Sequence, residues 1–381
     1  MLEKLHRLLD YLARHADSSE QKGIESLYRR TLNYENVERL PLYLSYPLPE
    51  DSPFLPFPHG EVASDPDKML YNELVHAFGL SIANRFAFSV HDDLPFTVRA
   101  NFGTVVMASM FGGKVESRDD NPPWVAHFES KEEFADILDT DPHDHALGLC
   151  PRVLERCRYF REVLSSYPEL SGLIHLVLPD LQGPLDTLDV LRGSDMYLDF
   201  YEDPDIVERS LALIAEAQVS FAKTLLPFVS QIAPGFTCQH GTMIRGNILI
   251  RNDSTVMLSP DMYREMVSRH DEYVLASMGG GGIHSCGTCG HQIENFLSLP
   301  SLRSFDFGQS YLNDTDAAYR SASKRKIPLI RVAATREELV SGSILERFPT
   351  GVVLTYEAES PEDAREVIDA YKASAEKIGK R

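Results

Sequence analysis

The chain has 381 residues, with 37 Lys plus Arg against 57 Asp plus Glu and a formal charge of −20 at pH 7. That charge repels phosphate backbones and anionic lipid headgroups, so nucleic acid and membrane surfaces are excluded as expected partners. With 43% hydrophobic and 25% charged residues, the composition is that of a globular protein with a large core and not of a disordered chain.

The five cysteines, Cys150, Cys157, Cys238, Cys286 and Cys289, are too sparse and odd in number for a secreted disulfide framework, and point to reduced thiols or ligands. No apolar run approaches the ~18–20 residues of a membrane-spanning helix. The opening Met1 to Asp10 is charged every few positions, unlike a signal peptide. A soluble, cytoplasmic protein is expected, built either as one large α/β barrel or as two modest domains.

Taken in chain order, Leu2, Leu5, Leu8, Leu9 and Leu12 recur at helical spacing, and a second helix is expected over residues 24–32. Residues 40–46 read as a buried strand stopped by Pro47 and Pro49. In the Pro-rich stretch that follows, Phe54 and Phe57, together with Trp124, read either as a hydrophobic lid or as ordinary packing. A helix over 65–80, capped by Asp65 with Pro66 in its first turn, precedes a strand at 87–90 and an irregular Asn101-Phe102-Gly103-Thr104. Asp139 to His145 lacks the spacing of a calcium loop and reads as a solvated acidic segment.

From residue 174 short apolar strands alternate with longer helices, the signature of parallel α/β architecture. Strands are expected at 174–178, 235–238, 248–251, 282–284, 302–307, 329–332 and 352–354. Several end in polar residues: Asp180-Leu181-Gln182-Gly183, Cys238-Gln239-His240-Gly241, Arg251-Asn252-Asp253, His284-Ser285-Cys286-Gly287 and Asp306-Phe307-Gly308-Gln309. A (β/α)8 TIM barrel gathers such strand ends onto one face, whereas an open sheet strings them along an edge. No G-x-G-x-x-G follows an N-terminal strand, and neither a phosphate-binding G-x-x-x-x-G-K-S/T nor a G-x-S-x-G elbow occurs. The expected organisation is a helical extension over residues 1–38 followed by one (β/α)8 TIM barrel domain over 39–381.

The most informative segment is Gly279-Gly280-Gly281-Gly282-Ile283-His284-Ser285-Cys286-Gly287-Thr288-Cys289-Gly290-His291. On a strand, residues i and i+2 face the same way, so His284 and Cys286 present imidazole beside thiol, two of the donors zinc prefers. The Cys286-x-x-Cys289 pair reads equally as a redox pair, and the glycines favour close backbone approach or a ligand. Asp253 is a candidate orienting group or general base, and His240 a candidate third ligand or acid/base; caps and satisfied core histidines look the same in sequence. Asp180, Gln182, Asn101 and Asp306 are the candidate substrate contacts.

Asp180-Leu181-Gln182-Gly183-Pro184-Leu185-Asp186, Asn252-Asp253-Ser254 with Leu258-Ser259-Pro260-Asp261-Met262-Tyr263, Ile283-His284-Ser285-Cys286-Gly287 and Ser360-Pro361-Glu362-Asp363-Ala364 together resemble the uroporphyrinogen decarboxylase superfamily, most closely its methylcobamide:coenzyme M methyltransferase-like branch. The resemblance spans about residues 40–377 and implies a (β/α)8 barrel. It implies a zinc-dependent methyltransferase that moves a methyl group between a corrinoid protein and a thiol or other small acceptor, with His284 and Cys286 as metal ligands. Where that branch has a distant third cysteine, near Leu354-Thr355-Tyr356-Glu357, this sequence has none. Glu357, Cys289 or His240 completes the site, or the metal is absent. The arginine-rich N-terminal element of the true decarboxylases is also missing, and a charge of −20 disfavours a polyanionic porphyrin. The alternatives are a metal-free carboxy-lyase acting on a tetrapyrrole, relying on Asp253 and a cation such as Arg245 or Arg331, and a non-catalytic corrinoid-binding barrel.

Overall fold

Near-continuous apolar runs between helices find their place in a six-stranded parallel sheet, covered so that its strands are buried. A computed structural model describes residues 1–77, 79–117 and 121–379. In chain order its strands are β1 (Leu42–Ser45), β2 (Thr97–Arg99), β3 (Lys114–Glu116), β4 (Trp124–Ala126), β5 (His175–Val177), β6 (Phe236–Gln239), β7 (Thr242–Arg245), β8 (Leu249–Arg251), β9 (Gly281–Ser285), β10 (Leu302–Phe307), β11 (Leu329–Ala333) and β12 (Val352–Glu357). The sheet order is β1-β12-β11-β10-β9-β8, all neighbours parallel. A second parallel pair joins β2 to β5, with Val98 opposite Leu176.

Both edges of the large sheet lie against the ends of that pair. At the β1 edge, Leu42 and Leu44 donate their N–H groups to the carboxylates of Asp93 and Asp92 (3.0 and 2.9 Å), which lead into β2. Beside β8, the turn after β5 comes so close that a Cβ on Gly183 would collide with the Arg251 carbonyl oxygen. Gly183→Ala is therefore expected to destabilise the fold by about 1–3 kcal/mol, the usual cost of overpacking, read as a lower urea midpoint at unchanged slope.

Several elements differ from expectation. The 235–238 strand does not enter the parallel sheet: β6 turns back onto β7 as an antiparallel hairpin, with Cys238 opposite Met243. The reason is the two-residue turn His240-Gly241, whose φ angles of +50° and +73° suit the right-handed twist of a hairpin. No strand forms at 87–90; Ser81 caps a helix over Ile82–Ala87 that ends in a turn at Ser89, and the strand comes later as β2. The helix Cys150–Ser165 was not expected, although Val153, Cys157, Phe160 and Leu164 sit at its helical spacing and are buried.

The hairpin explains the glycine run. Ile244 of β7 lies against Gly282, and Arg245 N–H donates to Ser304 Oγ of β10 at 2.9 Å, so β7 lies against the residues of β9 and β10. A Cβ on Gly281 or Gly282 would press into Ile248 or Leu249. Gly281 and Gly282 serve close backbone approach.

The N-terminal helices Glu3–His15 and Ser18–Leu32 bury Leu5, Leu8, Leu9, Leu12, Ile24 and Leu32 in the same core as the strands. Phe54 packs tilted against Tyr11 and Phe57 edge-on against Tyr71 of the helix Pro66–Val75, with Lys4 over the Phe57 ring, so both are engaged in packing among the helices. Among the described residues no helix is long and apolar enough to cross a membrane.

Candidate metal centre

Strand register assembles the site. Arg251 on β8 and Asp306 on β10 stand opposite His284 on the central β9. His284 Nε2 lies 3.3 Å from Cys286 Sγ, as the i, i+2 spacing predicts. Its Nδ1 lies 3.0 Å from Asp306 Oδ2. Asp253 follows β8 and reaches across: its Oδ1 accepts the Cys286 N–H at 2.7 Å and stands 3.6 Å from His284 Nε2. Gly308 makes room for the thiol, since a Cβ there would overlap Cys286 Sγ.

Asp253, His284 and Cys286 thus bring one oxygen, one nitrogen and one sulfur donor within 4.8 Å of one another. Donors bound 2.0–2.3 Å from a tetrahedral zinc stand about 3.3–3.8 Å apart, and the separations of 3.3 and 3.6 Å from Nε2 match two edges of that tetrahedron. Asp306 on the remote ring nitrogen supplies the carboxylate–histidine arrangement that orients a metal-binding imidazole. Burial and then the Asp253 charge push the Cys286 thiol up to about 12, the reverse of what an unassisted thiolate nucleophile needs. A cation among the three donors removes that conflict.

A second group, His240, His284 and Asp306, is already served by an internal cation. Arg331 grips Asp306 through both oxygens at 2.7 Å, and its Nη2 lies 2.7 Å from His284 Nδ1 and 3.3 Å from His240 Nδ1. It reaches inward because β11 bulges between Leu329 and Val332, with Arg331 at φ +58°. Burial alone would raise the Asp306 carboxyl; Arg331, His284 and His240 outweigh it and hold it well below the carboxylate range. Asp306 has no exposed surface, and both its oxygens are engaged by Arg331 and His284, so it positions those two side chains.

His240 sits in the hairpin turn with its ring 5.1 Å from that of His284. Arg251 donates to its Nε2 at 2.6 Å and pairs with Asp180 Oδ2 at 2.5 Å. Burial, then the Arg251 charge, push His240 down to about 4, so it is neutral at physiological pH. Asp180 is raised by burial, but Arg251, His240 and Arg99 overcome this and hold it below its ordinary value. Gln182, at φ +59°, turns its amide back onto Asp180 Oδ1 at 3.3 Å. Gln182, His240 and Arg331 are three of the six described non-glycine residues at positive φ, and all three belong to this network.

The remaining expected ligands lie elsewhere. Glu357 is exposed at the end of β12, opposite Ser45, and joins neither donor group. Cys289 is buried with Sγ 3.6 Å from Asn313 Oδ1, its thiol pushed up to about 11 chiefly by burial. The residue that stands with His284 and Cys286 is Asp253, which the sequence marked as an orienting group or base. Arg245 lies outside the network, with Nη1 on the Lys326 carbonyl.

Asn101 lines an adjoining cavity of about 290 Å³. Its polar end is formed by Glu73, Arg99, Asn101, Asp180 and Arg251, its apolar wall by Met69, Phe102 and Pro123 among others. Glu73 accepts the Arg99 N–H at 3.0 Å and the Asn101 amide at 2.8 Å. Sequence reasoning missed Glu73, Arg99 and the role of Arg251. The signal available was Arg251 at the same strand end as Asp253; Glu73 lies inside an amphipathic helix and carries no local mark. Compared with known proteins, the chain matches no family model and no curated protein.

Proposed function

We propose that the protein is a zinc-dependent methyltransferase of the uroporphyrinogen decarboxylase superfamily, moving a methyl group between a corrinoid protein and a thiol or other small acceptor. The observation that carries this reading is the Asp253–His284–Cys286 donor set at tetrahedral spacing, three protein donors as catalytic zinc sites use. Zinc bound there supplies a Lewis acid that keeps an acceptor thiol deprotonated at neutral pH. The chain's own residues do the rest. Asp306 and Arg331 fix the His284 ring, the Cys286 N–H aims the Asp253 carboxylate, and the neighbouring cavity holds the body of the small molecule. Ring closure of the sheet by the β2–β5 pair into a (β/α)8 barrel belongs to the same proposal, and both sheet edges already lie against that pair.

The cavity also bears on the alternative. Pockets that bury a drug-sized ligand run from about 300 to 1,000 Å³, and at 290 Å³ this one is at the small end, poorly matched to a tetrapyrrole. Purified protein is expected to carry one zinc per chain by elemental analysis and to demethylate methylcobalamin in the presence of a small thiol such as coenzyme M. Absence of zinc together with turnover of uroporphyrinogen would replace this reading by the carboxy-lyase.

A further inference from the structure

Asp186 is a buried carboxylate that no step above uses. It lies in the first turn of the helix Pro184–Arg192, directly after the Asp180-Leu181-Gln182-Gly183 strand end. Its two oxygens are taken by consecutive peptide groups: Oδ2 accepts the Asp253 N–H and Oδ1 the Ser254 N–H, each at 2.9 Å. One helical turn on, Asp189 Oδ2 accepts the Ser254 hydroxyl at 2.7 Å. The far side of the same turn is held by β9, where Asp253 Oδ1 accepts the Cys286 N–H.

We infer that Asp186 is the positioning residue for Asp253, setting the peptide plane from which that carboxylate reaches the metal site; the inference rests on the metal reading above. Two adjacent N–H groups gripped by one carboxylate leave the 253–254 backbone no freedom to rotate, so the direction of the Asp253 Cα–Cβ bond is fixed from the helix side. A turn that needed only its N–H groups satisfied would be served by a neutral acceptor. A second buried carboxylate beside Asp253 is an unfavourable pair unless a cation sits nearby, and it adds attraction for that cation. Asp186 is a member of neither donor group and does not line the cavity; its link to the site runs through the Asp253–Ser254 peptide.

The test is zinc affinity of the full chain by chelator competition, with the visible spectrum of the cobalt-loaded protein as the second readout. Asp186→Ala is expected to weaken zinc about 10–100-fold, the range for residues that orient a ligand, and to lower the intensity of the tetrahedral cobalt bands even at saturating cobalt. Asp186→Asn keeps the shape and one acceptor, guards against misfolding of the alanine variant, and should lose affinity in the same direction. Ser254→Ala removes the hydroxyl that reaches Asp189 but keeps both peptide N–H bonds to Asp186, and should leave affinity and spectrum as in wild type. Wild-type zinc affinity and an unchanged cobalt spectrum in both Asp186 variants overturn the inference alone, whereas a wild-type protein that binds no zinc overturns the metal reading and the inference with it.

Discussion

On the zinc reading, Asp253→Ala is expected to lose zinc affinity by more than about 100-fold and with it the proposed methyl transfer, while the urea midpoint of the metal-free protein is expected to change little. The size follows from removing a direct donor, which costs more than the 10–100-fold of an orienting residue. The mild effect on the apo fold follows from exposure: the Asp253 side chain is about one-third exposed, and its main link is one hydrogen bond to the Cys286 N–H. Zinc accepts sulfur as readily as oxygen, so Asp253→Cys is expected to retain stoichiometric metal. Elemental analysis and chelator competition on the two variants check this. Full zinc in Asp253→Ala would move the third donor elsewhere.

The second large effect is on stability. Arg331→Leu is expected to cost about 3–5 kcal/mol, because it leaves the fully buried Asp306 carboxylate without its bidentate partner. The pH dependence has a definite sign. In the wild type the folded pKa of Asp306 lies well below its ordinary 3.8, so its contribution is complete above the unfolded value and is lost as pH falls through the folded one. Without Arg331, burial raises the carboxyl, and protonation then favours the folded chain. The stability gap between variant and wild type therefore narrows between pH 7 and pH 3. Urea unfolding at both pH values measures it, and a gap independent of pH would show that Asp306 is not the group left unpaired. The double variant Arg331→Leu/Asp306→Leu should recover part of the loss, since a buried ion pair replaced by apolar groups costs less than one broken.

These two residues also mark how far the sequence could be read. His284 and Cys286 were legible because a strand's period of two places them together without any knowledge of neighbours. Asp253 was visible as polar at a strand end, but its place beside His284 and Cys286 was not, since that depends on β8 lying beside β9 and on the turn held by Asp186. Arg331 was named only as a cation for another chemistry. Its inward reach requires a bulge at φ +58°, and no local signal announces a left-handed arginine within a strand. Glu357 and Cys289 were drawn in by proximity in sequence to the expected third cysteine and to Cys286, yet one ends exposed on β12 and the other is turned into the core.

The sequence by itself determined the alternation of apolar strands and helices, the net charge of −20, the paired imidazole and thiol, and the polar closing of successive strands. All of these are local: they follow from side-chain period, charge and composition. Tertiary structure alone decided that the 235–238 strand folds into a hairpin, that two arginines from β8 and β11 neutralise Asp180 and Asp306, and that Asp253, not Glu357 or Cys289, stands beside His284 and Cys286. Each of these joins residues from elements far apart in the chain, where sheet register and burial, not local propensity, set the distance between charges.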